Sequence, residues 1–147
     1  MARFRYRMQN ILNVKEKLEN QARNDFAVAV AKVNEEEAKL HELEGRKEAY
    51  EMELRELYSK TLNITEIKST EDAIEIMKLY IEQQLVVLNT ANQQLEIARQ
   101  KLTVAIQDRK THERLKEKQF DEFKAEEAAK ESKEIDELVS FRHGDNN

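Results

Sequence analysis

The chain has 147 residues and a net charge of −5, with no proline, no cysteine and two glycines. Its length predicts about one domain, and the absence of cysteine excludes disulfides and thiolate chemistry. Turns depend on proline and glycine, so this chain is expected to have few of them. The acidic balance argues against a general nucleic-acid-binding protein, which would be basic.

Composition leaves two classes open. Charged residues make up 37% and hydrophobic residues 39% of the chain, which is typical of long helices and coiled coils but also of disordered chains rich in both charges. No apolar run approaches the ~18 residues that span a bilayer, and no apolar signal core follows the basic start. We therefore expect a cytoplasmic protein without direct membrane insertion.

Helix 1 is predicted over about residues 4–60. Apolar residues recur there at three- and four-residue steps, which indicates the seam of a coiled coil. The predicted seam contains Phe26, Ala29, Val33, Leu40, Leu43, Tyr50, Leu54 and Leu57. Glu36 and Lys47 interrupt it. Upstream the stripe continues in a shifted frame through Phe4, Met8, Ile11, Leu18 and Ala22, which predicts a stutter in the repeat.

A connection is predicted over about residues 61–69, because this segment is rich in β-branched residues of lower helix propensity. Ser69 or Thr70, followed by acidic residues, is expected to cap the second helix. Helix 2 is predicted over about residues 70–142. It should end at Arg142 and His143, with Gly144 as its C-cap.

The seam of helix 2 repeats without interruption over its first half. It is predicted to contain Ile74, Met77, Ile81, Gln84, Leu88, Ala91, Leu95, Ala98, Leu102 and Ala105. In an antiparallel pair, the residue numbers of two facing side chains add up to a constant. A sum of 131 places large residues of one helix against small residues of the other. That register sets Gln84 opposite Lys47. The predicted fold is all-α: one domain, residues 1–147, forming an antiparallel coiled-coil hairpin that is monomeric when free.

In this register helix 2 extends beyond helix 1 by about a dozen residues, or ~18 Å. The extension carries Ile135, Leu138, Val139 and Phe141 without an internal partner. An apolar stripe on an unpaired helix indicates a surface that binds another protein.

No catalytic or metal-binding motif is present in the sequence. The three histidines, His41, His112 and His143, lack the second histidine that the zinc motif H-E-x-x-H requires. They also lack the glutamate three residues earlier that bundle di-iron sites use. There is no glycine-rich phosphate loop. We expect no enzymatic activity, no metal and no cofactor.

Two stretches resemble the flagellar export proteins of the FliJ family. The first is residues 4–12 (FRYRMQNIL) followed by residues 15–19 (KEKLE). The second is residues 114–120 (RLKEKQF), continuing to residues 134–138 (EIDEL). The total length, the repeats and the break in mid-chain are similar as well.

The resemblance implies a stalk or adaptor similar to the γ subunit of rotary ATPases. Such a protein would bind and stimulate the ring-shaped export ATPase and would connect it to the export gate, a membrane protein, and to export chaperones. It would lie at the inner face of the cell membrane through the export apparatus. By position, the residues that bind the ATPase would be Phe4, Arg7, Ile11, Gln119, Phe120, Ile135, Asp136 and Leu138. Those that bind the gate would be Tyr80, Gln84 and Val87.

Three alternatives compete with this interpretation. The equivalent stalk of a virulence type III secretion system would share the architecture. A generic coiled-coil scaffold would have one uninterrupted helix and dimerise in parallel, which the break at residues 61–70 disfavours. A nucleic-acid-binding helix pair is disfavoured by the acidic pI of about 5.4.

Overall fold

The computed structural model describes residues 2–60 and 63–145, and over these ranges the chain forms two helices and no strand. Helix α1 spans Gln9–Ser59 and helix α2 spans Ile64–Asp145. The predicted all-α antiparallel hairpin is confirmed. Two compact units can be distinguished: one comprises Met1–Gln21 and Thr103–Asn147, and the other Ala22–Leu102. In each unit, antiparallel segments of α1 and α2 pack side by side, and the prediction of a single domain stays a prediction.

Helix α1 begins later than predicted. The first backbone hydrogen bonds join the Gln9 amide to the Tyr6 carbonyl at 3.2 Å and the Leu12 amide to the Met8 carbonyl at 3.0 Å. Residues 2–8 precede the helix and are called the arm below. The predicted start at Phe4 was therefore wrong, because this segment packs as non-helical chain.

Helix α2 begins at Ile64, earlier than the predicted Thr70, and its cap is Asn63. The Asn63 side-chain oxygen accepts hydrogen bonds from the amides of Thr65 at 3.1 Å and Glu66 at 3.4 Å. These are the second and third helical positions, which an N-cap satisfies. Thr61 and Leu62 of the predicted connection lie outside the described residues.

Thr70 is thus an interior residue of α2 and not a cap. Its hydroxyl donates to the Glu66 carbonyl one turn earlier, at 3.0 Å, and its side chain is buried in the seam. Nearby, the Tyr58 hydroxyl at the end of α1 donates to the Glu71 carboxylate at 2.8 Å. That hydrogen bond raises the pKa of Tyr58.

The prediction that Gly144 ends α2 as its C-cap was wrong. The helix continues through Gly144 to Asp145, and none of the described glycines has a positive φ. Gly144 therefore adopts ordinary helical backbone.

The seam of α1 runs in one frame, and the predicted stutter was wrong. Leu12 is 3% exposed whereas the neighbouring Ile11 is 43% exposed, and Leu18 is also exposed. The covered positions are Leu12, Lys15, Glu19, Ala22, Phe26 and then the predicted seam residues, with Glu36 and Lys47 among them. Lys15 and Glu19 occupy seam positions although they are charged, and a search for apolar residues passes over them.

The predicted seam of α2 is confirmed. All ten of its residues from Ile74 to Ala105 are buried or half-buried. Alternating three- and four-residue steps keep them on one side of the helix. This side packs against α1, and the core of the unit Ala22–Leu102 lies along it, centred on Val33, Ile74, Met77 and Ala91.

The predicted register was wrong. Gln84 does not face Lys47: its side-chain amide donates to the Glu36 carbonyl at 3.0 Å and to the Glu36 carboxylate. Lys47 lies eleven residues further along α1, about 16 Å away at 1.5 Å per residue. In the other unit, Lys116 donates to Gln9 at 2.7 Å, where the predicted register places Glu122.

The error follows from the connection. Because α2 begins at Ile64 and not near Thr70, the midpoint in sequence between the two helices is earlier than predicted, and every partner number falls with it. A slip of one heptad returns each apolar residue to the seam and changes only the residue it faces. The repeat therefore defines the seam without defining the register.

Glu36 forms a polar layer within the seam. Its residue surface is 2% exposed, and Lys32 at 2.9 Å and Lys39 at 3.3 Å contact its carboxylate. Hydrogen bonds from Gln84 and then Lys32 stabilise the charged form and lower the pKa of Glu36 to about 2. A polar layer of this kind favours one register over its neighbours at some cost in stability.

The register can be tested by cross-linking, since the chain contains no cysteine. A Lys15→Cys, Asp108→Cys variant should be joined efficiently within one molecule by a short bismaleimide linker, because the charged atoms of these side chains lie 3.6 Å apart and the Glu36 layer is left intact. A Lys15→Cys, Lys116→Cys variant, whose residues the predicted register pairs, serves as the control and should remain unlinked. Efficient linking of the control pair would show that the predicted register, with a sum of 131, is the correct one.

The polar layer should also make stability depend on pH. The depressed pKa of Glu36 means that its carboxylate stabilises the folded state above the unfolded pKa of about 4.3 and loses this effect as the pH falls toward 2. Glu36→Gln should therefore melt at a lower temperature than the parent chain at pH 7, and the difference should shrink between pH 4.5 and pH 2. Circular dichroism melting at several pH values measures it, and a difference that does not change with pH would contradict this role.

Candidate partner-binding surfaces

The arm alternates covered and exposed side chains. Phe4, Tyr6 and Met8 are buried or half-buried, whereas the three arginines Arg3, Arg5 and Arg7 are exposed. The apolar members anchor the arm against α2 and leave a row of guanidinium groups on its outer side. Such a row offers donors suited to carboxylate groups on a partner.

Aromatic contacts anchor the start of the arm. The Phe4 ring centroid lies 5.1 Å from that of Phe120 and 5.4 Å from that of Phe123, with tilted ring planes. Pairs of this geometry are worth about 0.5–1.5 kcal/mol beyond the area they bury. The Lys124 ammonium lies 4.6 Å from the centroid of Phe120, on a ring that is still partly exposed.

Tyr6 and Lys116 hold the arm at its second anchor. The Tyr6 side chain is buried, and the Lys116 ammonium lies 6.0 Å from its ring centroid while donating to Gln9. The Lys116 ammonium therefore contacts the arm and the first residue of α1 together, and it limits how far the arm can move away from α2.

A second polar layer lies in this unit. Arg109 on α2 donates to the buried Glu19 carboxylate on α1 and to Glu113 at 2.8 Å. The hydrogen bond to Glu19 is the main cause of the raised pKa of Arg109. Lys15 and Asp108 add an ion pair at 3.6 Å. The contacts of Arg109 are charge-assisted and belong to the strong class of hydrogen bond.

The last part of α2 presents an uncovered surface, called the overhang below and comprising residues 128–144. All of its side chains are exposed, including Ile135, Leu138, Val139 and, at 69%, Phe141. Ile135, Leu138 and Val139 share a helix face because they are three and four residues apart. The sequence-based expectation of an extension without an internal partner agrees with this exposure.

The residues predicted to bind the ATPase fall into two groups. Phe4, Arg7, Ile11, Gln119 and Phe120 lie around the arm, and Phe4 and Phe120 are in contact. The other three, Ile135, Asp136 and Leu138, lie on the overhang. Fifteen residues separate Phe120 from Ile135, about 22 Å of helix. The two groups are therefore separate patches of one unit.

The residues predicted to bind the gate do not share one environment. Tyr80 and Val87 are exposed beside the seam of α2. Gln84 is half-buried in the seam, where its amide is bonded to Glu36. Tyr80 and Val87 are open to a partner, whereas Gln84 contributes to the pairing of the helices.

Sequence reasoning missed the roles of Tyr6 and Lys116. The alternation of apolar and basic residues from Arg3 to Met8 is the signal that could have identified the arm, because it has a period of two and not the 3.6 of a helix. Lys116 gave no signal, since only its position opposite the arm distinguishes it from the other lysines of α2.

Two kinds of site are absent from the described ranges. Among residues 2–60 and 63–145, no group of three or more His, Asp or Glu side chains is arranged to hold a metal ion. In the same ranges, neither helix contains a stretch long and apolar enough to cross a membrane.

Comparison with known proteins identifies the relatives of this chain. The family model of the flagellar FliJ protein matches residues 4–147. The flagellar FliJ protein of Bacillus subtilis (strain 168) is 27% identical over 139 residues, which is 92% of each chain. A solved structure of a putative YscO homologue from Chlamydia trachomatis aligns with a TM-score of 0.62 and 22% identity over 96% of both chains.

The solved structure shows a shared fold, and the family model extends over nearly the whole sequence. Both stretches that carried the sequence resemblance lie inside the matched residues. This chain belongs to the flagellar FliJ protein family, whose members are components of flagellar type III protein export.

Proposed function

We propose that the chain is a non-enzymatic stalk or adaptor of the flagellar export apparatus. It binds the ring-shaped export ATPase, stimulates its turnover, and connects it to the export gate and to export chaperones. Its place is cytoplasmic, at the inner face of the membrane through these partners. The exposed apolar overhang is the observation that carries the proposal.

The overhang has the chemistry of an anchor. Ile135, Leu138 and Phe141 expose more than half of their surface, and burying one such side chain on a partner contributes about 1.5–3 kcal/mol. Glu134, Asp136 and Glu137 surround them and would form the polar rim that protein interfaces have. A single helix with this stripe fits a groove or a ring of subunits.

The arm supplies a second contact of different chemistry. Arg3, Arg5 and Arg7 are exposed on a segment whose aromatic side chains hold it in place. A segment whose backbone is already held in place loses less freedom on binding than a mobile one, which favours affinity. A stalk can stimulate an ATPase only if these contacts differ between the conformational states of the ring.

The gate contact is proposed at Tyr80 and Val87, with Gln84 beside them. Exposed aromatic and aliphatic side chains one or two turns apart can dock on another helix or on a groove. A role in virulence secretion is the second candidate. The solved relative shares the fold alone, and the family model favours the flagellar role.

Replacing Ile135 and Leu138 together by Asp should weaken binding to the export ATPase by at least thirtyfold. A buried apolar anchor is worth ~2 kcal/mol, and every 1.4 kcal/mol is a factor of ten. Stimulation of ATP turnover should fall in parallel. Both residues are exposed, so the melting temperature should stay within a few degrees of the parent value.

Two controls accompany this test. Leu79→Asp with Leu85→Asp changes two similarly exposed leucines of α2 and should bind and stimulate the ATPase like the parent chain. Leu43→Asp with Leu88→Asp places charges in the seam and should unfold the hairpin. Normal stimulation by the Ile135, Leu138 variant would exclude the overhang as the ATPase site.

A further inference from the structure

A pocket, called the arm pocket below, lies where the arm meets the beginning of α1 and the side of α2. It has a volume of about 420 Å³ and is lined by Phe4, Arg5, Tyr6, Arg7, Gln9 and Lys116. This volume falls within the range of ~300–1,000 Å³ that ligand-binding pockets occupy. All of the lining residues belong to the compact unit that contains the arm.

The lining carries positive charge that nothing in the pocket compensates. Two arginines and one lysine contribute it, and among the residues that the structure describes no carboxylate lines the pocket. Arg5 and Arg7 form no ion pair with any described residue. Lys116 donates to the neutral side-chain oxygen of Gln9 at 2.7 Å, so its ammonium keeps its full charge and two further donors.

The beginning of α1 adds to the positive potential of the pocket. Gln9 is the first residue of the helix, and the first turn contains no acidic residue. The N-terminal end of a helix carries a partial positive charge that an anion nearby stabilises. Met8, which precedes the helix, is not a residue type that caps free amides. The helix end and the three cations therefore favour a ligand with anionic groups.

The geometry of the arm favours an extended ligand over a helical one. Covered and exposed side chains alternate along the arm, as they do in extended chain. Arg5 and Arg7 are two residues apart on its exposed side, about 6–7 Å along the chain. Carboxylates two residues apart in an extended peptide repeat at the same distance. Each guanidinium can bind one of them through two parallel hydrogen bonds.

The arrangement of these cations favours a peptide over a membrane surface. Attraction to an anionic membrane depends chiefly on the number of exposed cations near it, and the same unit also exposes Lys110 and Arg114 outside the pocket. Arg5 and Arg7 differ from these two because an anchored segment holds them, with Lys116, around a concave space. A ligand that enters the pocket can use this arrangement, whereas a flat lipid surface cannot.

We propose that the arm pocket binds an extended acidic segment of a partner protein. Carboxylates two residues apart in that segment pair with Arg5 and Arg7, and the remaining donors of Lys116 bind an oxygen between them. The inference rests on the proposed function in so far as the arm is taken as a partner contact. It adds the chemistry of the partner, which is alternating carboxylates in extended chain.

A short acidic peptide tests the proposal on the full chain. The probe is about seven residues long, with Glu at every second position, Ala between them, blocked ends and a neutral fluorophore. Fluorescence anisotropy at low ionic strength should give saturable binding. A second peptide with Gln in place of every Glu should bind roughly tenfold more weakly or less, because it offers no charge-assisted hydrogen bond to the arginines.

Matched variants locate the site. Arg5→Gln with Arg7→Gln should weaken binding of the acidic peptide by roughly tenfold or more. Lys110→Gln with Arg114→Gln removes the same charge at two exposed positions outside the pocket and should change the affinity by less than about twofold, because distant exposed charges are screened. Circular dichroism checks that both variants keep the helical content of the parent chain.

Three results would overturn the proposal. The first is the absence of saturable binding of the acidic peptide to the parent chain. The second is an equal loss of affinity in both variants, which would reduce the effect to general attraction between opposite charges. The third is equal binding of the two peptides together with binding to vesicles of mixed neutral and anionic phospholipid that the Arg5→Gln, Arg7→Gln variant loses. That result would make lipid headgroups the ligand of the arm.

These measurements do not use the ATPase, so the two proposals can fail separately. Loss of peptide binding would leave the test of Ile135 and Leu138 on the overhang unaffected. Normal ATPase stimulation by the overhang variant would likewise leave the result with the acidic peptide standing.

Discussion

The position at which α2 begins is the constraint on which the pairing of the helices depends. Both helices repeat their covered side chains every seven residues, so registers that differ by one heptad bury almost the same apolar surface. The Asn63 cap starts α2 at Ile64. The hydrogen bonds from Gln84 to Glu36 then stabilise the register that results from this start. Local hydrogen bonds therefore decide between arrangements that the hydrophobic effect scarcely distinguishes.

The limits of sequence-based prediction follow from the same degeneracy. The two helices and the seam from Ile74 to Ala105 could be predicted because apolar periodicity reports which face of a helix is covered. The register could not be predicted, because Asn63 lies in a segment rich in β-branched residues, which indicated a connection and not the start of a helix. Glu19 was not predicted as a seam residue, and Glu36 was predicted only as an interruption of the seam. Their carboxylates are stabilised by partners distant in sequence, Arg109 and Gln84, which a repeat pattern does not reveal.

The candidate surfaces were predicted unevenly, for a related physical reason. The stripe of Ile135 and Leu138 could be found because an apolar pattern on a helix is visible in the sequence itself. The arm depends on Tyr6 meeting Lys116 and on Phe4 meeting Phe120 and Phe123, contacts between opposite ends of the chain.

We propose that the overhang is uncovered in the free protein and covered by the export ATPase in the complex. Hydrogen exchange measured by mass spectrometry, with and without the ATPase ring, tests it most directly. Residues 128–144 should exchange fast in the free chain and become protected in the complex, whereas the seam around Val33 and Ala91 should be protected in both. Protection of residues 128–144 in the free chain, or no change on adding the ATPase, would contradict the claim.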